Sequence, residues 1–452
     1  MRGTGLRLQA KLHTRAPFGQ TMNPPVSTLS PFDAAAILIV LAAALGYANH
    51  RFFRLPTSVG LTVMGALSSL LVILVDLLLP DSHLSEVVVG FLASIDFHST
   101  LMDGMLSFLL FAGALHVDWT EMRRARLPII VLSTIGVSLS TAIVGGGFYL
   151  ASRLLGIEVP LLWCMVFGAL ISPTDPVAVM AVLQRAAVPP ALRAVVAGES
   201  LFNDGVGVVV FSILLGAALG TESFEVSTAF ATFVKEAGGG IALGLLVGWI
   251  AFRAMRSIDE YNVEVMISLA VVMGGYSLAH WIHVSGPVAM AVAGLLLGNH
   301  GVAHAMSDLT RDYLIKFWTL IDEILNAVLF LLIGLEVIAI APNIRVLALG
   351  VLSVVLVVVA RYISVALPLA AMSRIFSLGK SGVPILVWGG LRGGISIALA
   401  LSLPDSPVRT IVLAGTYVVV MFAVIVQGST VGGLIKRLAQ SPDDTPATAT
   451  PP

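Results

Sequence analysis

GALISPTDPVAVMAVL, residues 168–183, is apolar enough at both ends to lie in a membrane, and it breaks in its middle. Pro173 and Pro176 flank Thr174 and Asp175. Each proline removes an amide donor, and its ring clashes with the preceding turn. Inside lipid, backbone groups freed in this way persist only where protein or a cavity satisfies them. A simple proline kink is the plain reading. Two prolines enclosing an acid argue instead for an interrupted helix with a charge at the interruption.

The chain around this stretch is a membrane protein. Its 452 residues are 57% hydrophobic and 11% charged, whereas a soluble domain carries about 25% charged residues. Apolar runs long enough to cross a bilayer recur along the whole length. The 43 glycines and 22 prolines suit close helix packing and helix breaks. A single cysteine, Cys164, excludes a disulfide framework within the chain and a cysteine metal cluster. The net charge of −1 excludes a basic nucleic-acid surface. The expected fold is an all-α polytopic membrane protein with about 13 transmembrane helices. The spans fall near 34–50, 57–79, 99–117, 127–155, 160–183, 192–219, 226–254, 262–282, 285–300, 313–339, 343–371, 380–402 and 407–435.

The 25 Lys and Arg are unevenly placed. Most lie in loops that follow odd-numbered spans. Arg153, Lys235, Arg345 and Arg409 lie on the opposite side, and Arg2, Arg7, Lys11 and Arg15 in an N-terminal extension, residues 1–32, expected to be flexible. The positive-inside rule puts the C-terminus in the cytoplasm and the N-terminus outside, in what is expected to be a bacterial inner membrane. Residues 438–452 read as a short disordered cytoplasmic tail, with no room for a regulatory domain. Arg361 and Arg392 fall inside spans, where charge costs at least ~2.5–3.5 kcal/mol on insertion scales, so each needs a partner or a task.

Arg392 lies in WGGLRGGISIALAL, residues 388–401, among Gly389, Gly390, Gly393 and Gly394. The glycines permit an unwound turn, although a small-residue packing face is the alternative. The two broken spans are the fifth and the twelfth. If spans 1–6 and 8–13 are repeats, each is the penultimate helix of its half, and an offset of seven spans inverts the topology. Breaks at matching positions of two halves point to a transporter's binding site.

The third polar stretch is GESLFNDGVGVVVF, residues 198–211. On a helix Glu199 shares a face with Asn203, and Ser200 with Asp204. Hydroxyl and carboxylate together suit a hard cation, so Ser200 and Asp204 read as ligands. Glu199 with Asn203 suits a structural ion pair, with Arg361 and Arg392 both open as partner.

With these residues in view, the chain resembles the monovalent cation/proton antiporters of the first type, the branch of prokaryotic sodium/proton antiporters and animal sodium/hydrogen exchangers. The matching strings are SPTDPVAV at 172–179, GESLFNDGVGVVVF at 198–211, DEILNAVLFLLIGLEV at 322–337, Arg361 in VARYISV, and WGGLRGGISIAL at 388–399. The resemblance implies two inverted-topology repeats with broken crossing helices. It implies that ion and proton compete for Asp204, with Asn203 beside it. It also implies Thr174 and Ser200 as Na+ ligands with Asp204, Asp175 at the helix crossing, Glu199 paired with Arg361, and Arg392 against a half-helix C-terminus. One carboxylate holding either H+ or Na+ makes the exchange obligate, and electroneutral at 1:1. A core bundle near 127–219 and 343–435 would move against a dimerisation bundle near 34–117 and 262–339, with 226–254 as linker and a homodimer as the assembly. Some prokaryotic relatives carry a carboxylate just before the stretch GALHV, where this chain has Ala112 and Gly113.

Asp322 and Glu323 read either as a cytoplasmic funnel that attracts cations or as an interfacial pair near Lys316. No enzymatic activity and no cofactor are expected. Three rivals stand beside sodium exchange: K+/H+ exchange on the same scaffold, a channel, and an intramembrane aspartyl protease using Asp175 and Asp204. A channel would need a filter sequence or a ring of like charge, and the chain carries neither.

Overall fold

The computed structural model describes residues 31–94, 105–186, 188–220, 226–301, 306–336, 344–376 and 378–439. The proposed N-terminal extension therefore lies, up to residue 30, outside the described residues, as does the tail beyond residue 439. The first helix begins at Pro31, just inside the segment read as extension.

Seventeen helical elements run in order among the described residues. They are α1 Pro31–Ala48, α2 Thr57–Leu78, α3 Leu84–Ser94, α4 Leu106–Leu115, α5 Trp119–Arg124 and α6 Arg126–Leu154. Then come α7 Leu161–Ile171, α8 Val177–Leu183, α9 Pro190–Ala218, α10 Val226–Met255, α11 Tyr261–Trp281 and α12 Gly286–Leu296. The last are α13 Asp308–Leu335, α14 Ile344–Ala371, α15 Gly379–Trp388, α16 Gly394–Leu401 and α17 Pro407–Leu438. Nine are long and apolar enough to cross a membrane. The other expected spans are the short helices α4 and α12 and the two broken ones, α7–α8 and α15–α16.

The breaks fall where sequence chemistry demands. α7 stops before Ser172-Pro173, and α8 starts after Pro176. α15 ends at Trp388, and α16 resumes at Gly394 after the glycine run. Helix α3, LSEVVVGFLAS, falls between the expected spans 57–79 and 99–117 and was not foreseen. It is anchored by Asp76, whose carboxylate accepts from the backbone amides of Leu84 (2.9 Å) and Ser85 (2.6 Å). Helix α13 also begins earlier than its apolar run implies. Ser307 accepts from the Thr310 amide at 3.4 Å, and Lys316 pairs with Asp312 at 2.6 Å, so charged turns extend the helix.

Helix packing maps onto itself when the halves are exchanged. α2 packs on α13, and its counterpart α12 packs on α4. α6 packs on α14, which is its own counterpart. α8 packs on α9 as its counterpart α16 packs on α17, and α6 meets α9 as α14 meets α17. This is the pattern of two inverted repeats. Small residues bring the helices close, as membrane packing requires. A Cβ on Gly65 of α2 would lie 3.1 Å from the Cα of Gly334 in α13. Hydroxyls tie the same pair, Thr62 donating to the Phe330 carbonyl at 3.0 Å and Ser69 to the Leu335 carbonyl at 2.7 Å.

Candidate functional site

The two interruptions cross one another at the centre of the fold. The Asp175 amide donates to the Leu391 carbonyl at 2.9 Å, an isolated antiparallel bridge between the two unwound segments. The Asp175 carboxylate accepts from the Val177 amide at 2.9 Å, an Asx-type turn leading into α8. Gly393 lets the strands approach: a Cβ there would stand 2.5 Å from the Asp175 carboxylate. A small cavity beside the crossing is bounded by Asp175, Leu391 and Arg392, by Ser58 of α2 and Phe330 of α13, and by Val424. Val424 sits in a π-helical turn of α17, Ala423–Gln427.

Each half-helix C-terminus points its carbonyls at an arginine. Arg392 is buried and donates through Nη1 to the carbonyls of Ser172 (2.8 Å) and Pro173 (3.1 Å), which end α7. Arg361 donates to the Leu386 carbonyl, near the end of α15, from Nε at 3.3 Å and Nη2 at 3.1 Å. Cationic groups offset the partial negative charge of a helix C-terminus. Arg361 also holds Glu199 with two bonds, Nη1 to Oε1 at 2.8 Å and Nη2 to Oε2 at 2.7 Å. The Arg361–Leu386 contact was not foreseen. A glycine does signal it, because a Cβ on Gly390 would lie 2.5 Å from the arginine Nε.

Asn203 joins the stripe on α9 to the first break. Its Nδ2 donates to Glu199 at 2.9 Å and to the Thr174 hydroxyl at 2.7 Å, while its Oδ1 accepts from the Thr174 amide at 3.3 Å. The Thr174 and Ser200 hydroxyls lie 3.1 Å apart. Asp204 is buried, and its Oδ1 has no hydrogen-bond partner. Asp175 and Glu199 stand within electrostatic range of it. A buried carboxylate oxygen without a donor, one helical turn from the Ser200 hydroxyl, is chemistry suited to a proton or a small hard cation.

Asp322 and Glu323 part company. Asp322 is half-buried, accepts from Asn326 at 3.1 Å, and lies within electrostatic range of Asp175. Glu323 is exposed on the neighbouring face. α13 starts at Asp308, so Asp322 sits about 20 Å into the helix. Lys316 pairs with Asp312. Ala112 is fully buried in α4, and a Cβ on Gly113 would meet open space. Sequence reading also passed over Glu264, a fully buried acid of α11 that accepts from the Thr310 hydroxyl at 3.3 Å.

Comparison with known proteins assigns the chain a family. The sequence profile described as "Sodium/hydrogen exchanger, transmembrane" matches residues 38–437. The chain belongs to the sodium/hydrogen exchanger family. This exchanger is thus a multi-pass membrane transporter and not an enzyme. It is 46% identical over 414 residues to the Na(+)/H(+) antiporter NhaP of Pseudomonas aeruginosa, covering 90% of this chain and 96% of that protein. It is 32% identical over 418 residues to the Na(+)/H(+) antiporter NhaH of Halobacillus dabanensis, covering 89% and 97%. Its fold resembles the sodium proton antiporter MjNhaP1 of Methanocaldococcus jannaschii, solved at pH 8. The TM-score is 0.70 at 21% identity, over 90% of this chain and 99% of that one.

Proposed function

We propose that this exchanger moves Na+ or Li+ against H+ by letting the two compete for Asp204. The observation that carries the reading is the buried Asp204 carboxylate, one oxygen unpartnered, one turn along α9 from Ser200, whose hydroxyl lies 3.1 Å from that of Thr174 in the first interruption. Sodium is bound by oxygen donors, and Asp204, Thr174 and Ser200 supply them. Asn203 orients Thr174 and carries no charge of its own. With Asp204 alone exchanging, one positive charge crosses in each direction per cycle, and exchange is electroneutral. Glu199 stays ionised in its pair with Arg361 and serves structure. Asp175 and Asp322 form an acidic path toward the site that attracts cations.

Access alternates as α6–α9 and α14–α17 move as one body against α1–α4 and α11–α13, with α10 as the link. The second body forms the interface of a homodimer. The C-terminus faces the cytoplasm of a bacterial inner membrane, as the loop cations direct.

The test is proton flux in proteoliposomes under clamped voltage, with Na+, Li+ and K+ added in turn to wild type and Asp204→Asn. Collapse of the pH gradient by Na+ or Li+, in wild type only, is expected. Flux retained by Asp204→Asn would refute the competition mechanism. A response to K+ alone would reassign the substrate to potassium.

A further inference from the structure

An open groove of about 680 Å³ lies between α14, α15 and α17, away from the ion site. Tyr362 of α14, Pro384 and Val387 of α15, and Gly433 and Leu434 of α17 form its walls, and Arg437 lines one end. The Trp388 indole donates to the Thr430 hydroxyl at 2.9 Å and closes the other end, tying α15 to α17.

We infer that this groove holds the acyl chain of an anionic phospholipid, with the headgroup phosphate on Arg437. Four observations converge. The flank of α14 beside the groove is exposed and apolar through Leu352, Val355 and Val359, so the groove opens onto the hydrocarbon of the bilayer. Arg437 forms no ion pair among the described residues, and it stands beside Lys436 in the last turn of α17. From Ser429 to Arg437 the groove follows the helix for about 12 Å, which puts the cation at headgroup level and the apolar walls beneath it. Finally, a Cβ on Gly433 would meet no atom within 4 Å, so the groove wall faces space that the protein itself does not fill. A basic residue at the mouth of a cavity between membrane helices is the chemistry that selects an acidic headgroup. Binding there is independent of which ion is exchanged.

The experiment is native mass spectrometry of the full-length protein, with phosphatidylglycerol and phosphatidylcholine of identical acyl chains in competition. Wild type is expected to retain phosphatidylglycerol over phosphatidylcholine by about fivefold, the preference of one interfacial cation. Arg437→Gln should erase that preference, and Arg437→Lys should keep most of it. Gly433→Phe should lower retention of both lipids by filling the groove, with an unchanged melting temperature in lipid-free detergent. Equal retention of the two lipids by wild type would overturn the inference. So would a preference that survives Arg437→Gln, or retention unchanged by Gly433→Phe. Asp443→Asn/Asp444→Asn tests the chain's own acidic tail as occupant; a rise in phosphatidylglycerol binding in that variant would show the tail to hold Arg437 and would also overturn it.

Discussion

Removing the guanidinium of Arg361 should destabilise this exchanger more than any surface change. In Arg361→Met, Glu199 loses both of its short bonds, at 2.8 and 2.7 Å, while it remains fully buried on α9. Breaking a buried ion pair by deleting one partner costs about 3–5 kcal/mol, because the other charge is stranded. The Leu386 carbonyl loses its donors as well, which adds about 1 kcal/mol or more. At about 2–4 °C per kcal/mol for a sizeable domain, the melting temperature should fall by on the order of 10 °C. Glu199→Gln should be milder, since the arginine keeps the Leu386 carbonyl and the glutamine oxygen still accepts. The double variant Glu199→Leu/Arg361→Met is the discriminating one, because it strands no charge. A double-mutant cycle read by thermal unfolding in detergent should recover several kcal/mol relative to the sum of Arg361→Met and Glu199→Leu. Strict additivity, or single-variant shifts below about 2 °C, would refute the view that the pair holds α9, α14 and α15 together.

Thr174→Val should raise the apparent Michaelis constant for sodium by about tenfold with little change in maximal rate, measured as flux against sodium concentration; an unchanged constant would remove Thr174 from the ligand set. Gly393→Ala should cut transport at least tenfold, because its Cβ would press on the Asp175 carboxylate at 2.5 Å. Flux per correctly folded protein is the readout. Arg392→Met should abolish flux by leaving the α7 carbonyls uncapped, while Arg392→Lys should keep part of it. Asn203→Leu should lower the melting temperature through the stranded Thr174 amide, a loss of about 1–3 kcal/mol.

Much of this was legible because lipid punishes polarity. A proline pair around Asp175, a glycine run around Arg392 and an Asn-Asp pair on an apolar helix are costly placements, so each advertised itself. What escaped shares a different character. Helix α3 is apolar but short, and span-length reasoning has no place for it. The start of α13 is hidden because its first turns are charged, though their i,i+4 pairing makes good helix. The grip of Arg361 on the Leu386 carbonyl depends on where backbone ends point, which side-chain patterns do not encode. Glu264 sits in the first turn of α11, where an acid reads as an ordinary helix start, and only packing reveals that it is buried.

The two arginines also set a timetable for making the protein. Arg361 lies 162 residues beyond Glu199, and Arg392 lies 220 residues beyond Ser172. At about 5–20 residues per second, a ribosome needs on the order of 10–40 s to cover the longer gap. For that interval the first half sits in the bilayer with a broken helix whose carbonyls have no cap and a glutamate with no counter-ion. The nascent half must therefore be sheltered by water, by protonation or by the insertion machinery until its mirror image arrives. Neither half is a finished object, and a first half released from the ribosome alone should be cleared by membrane proteases rather than accumulate.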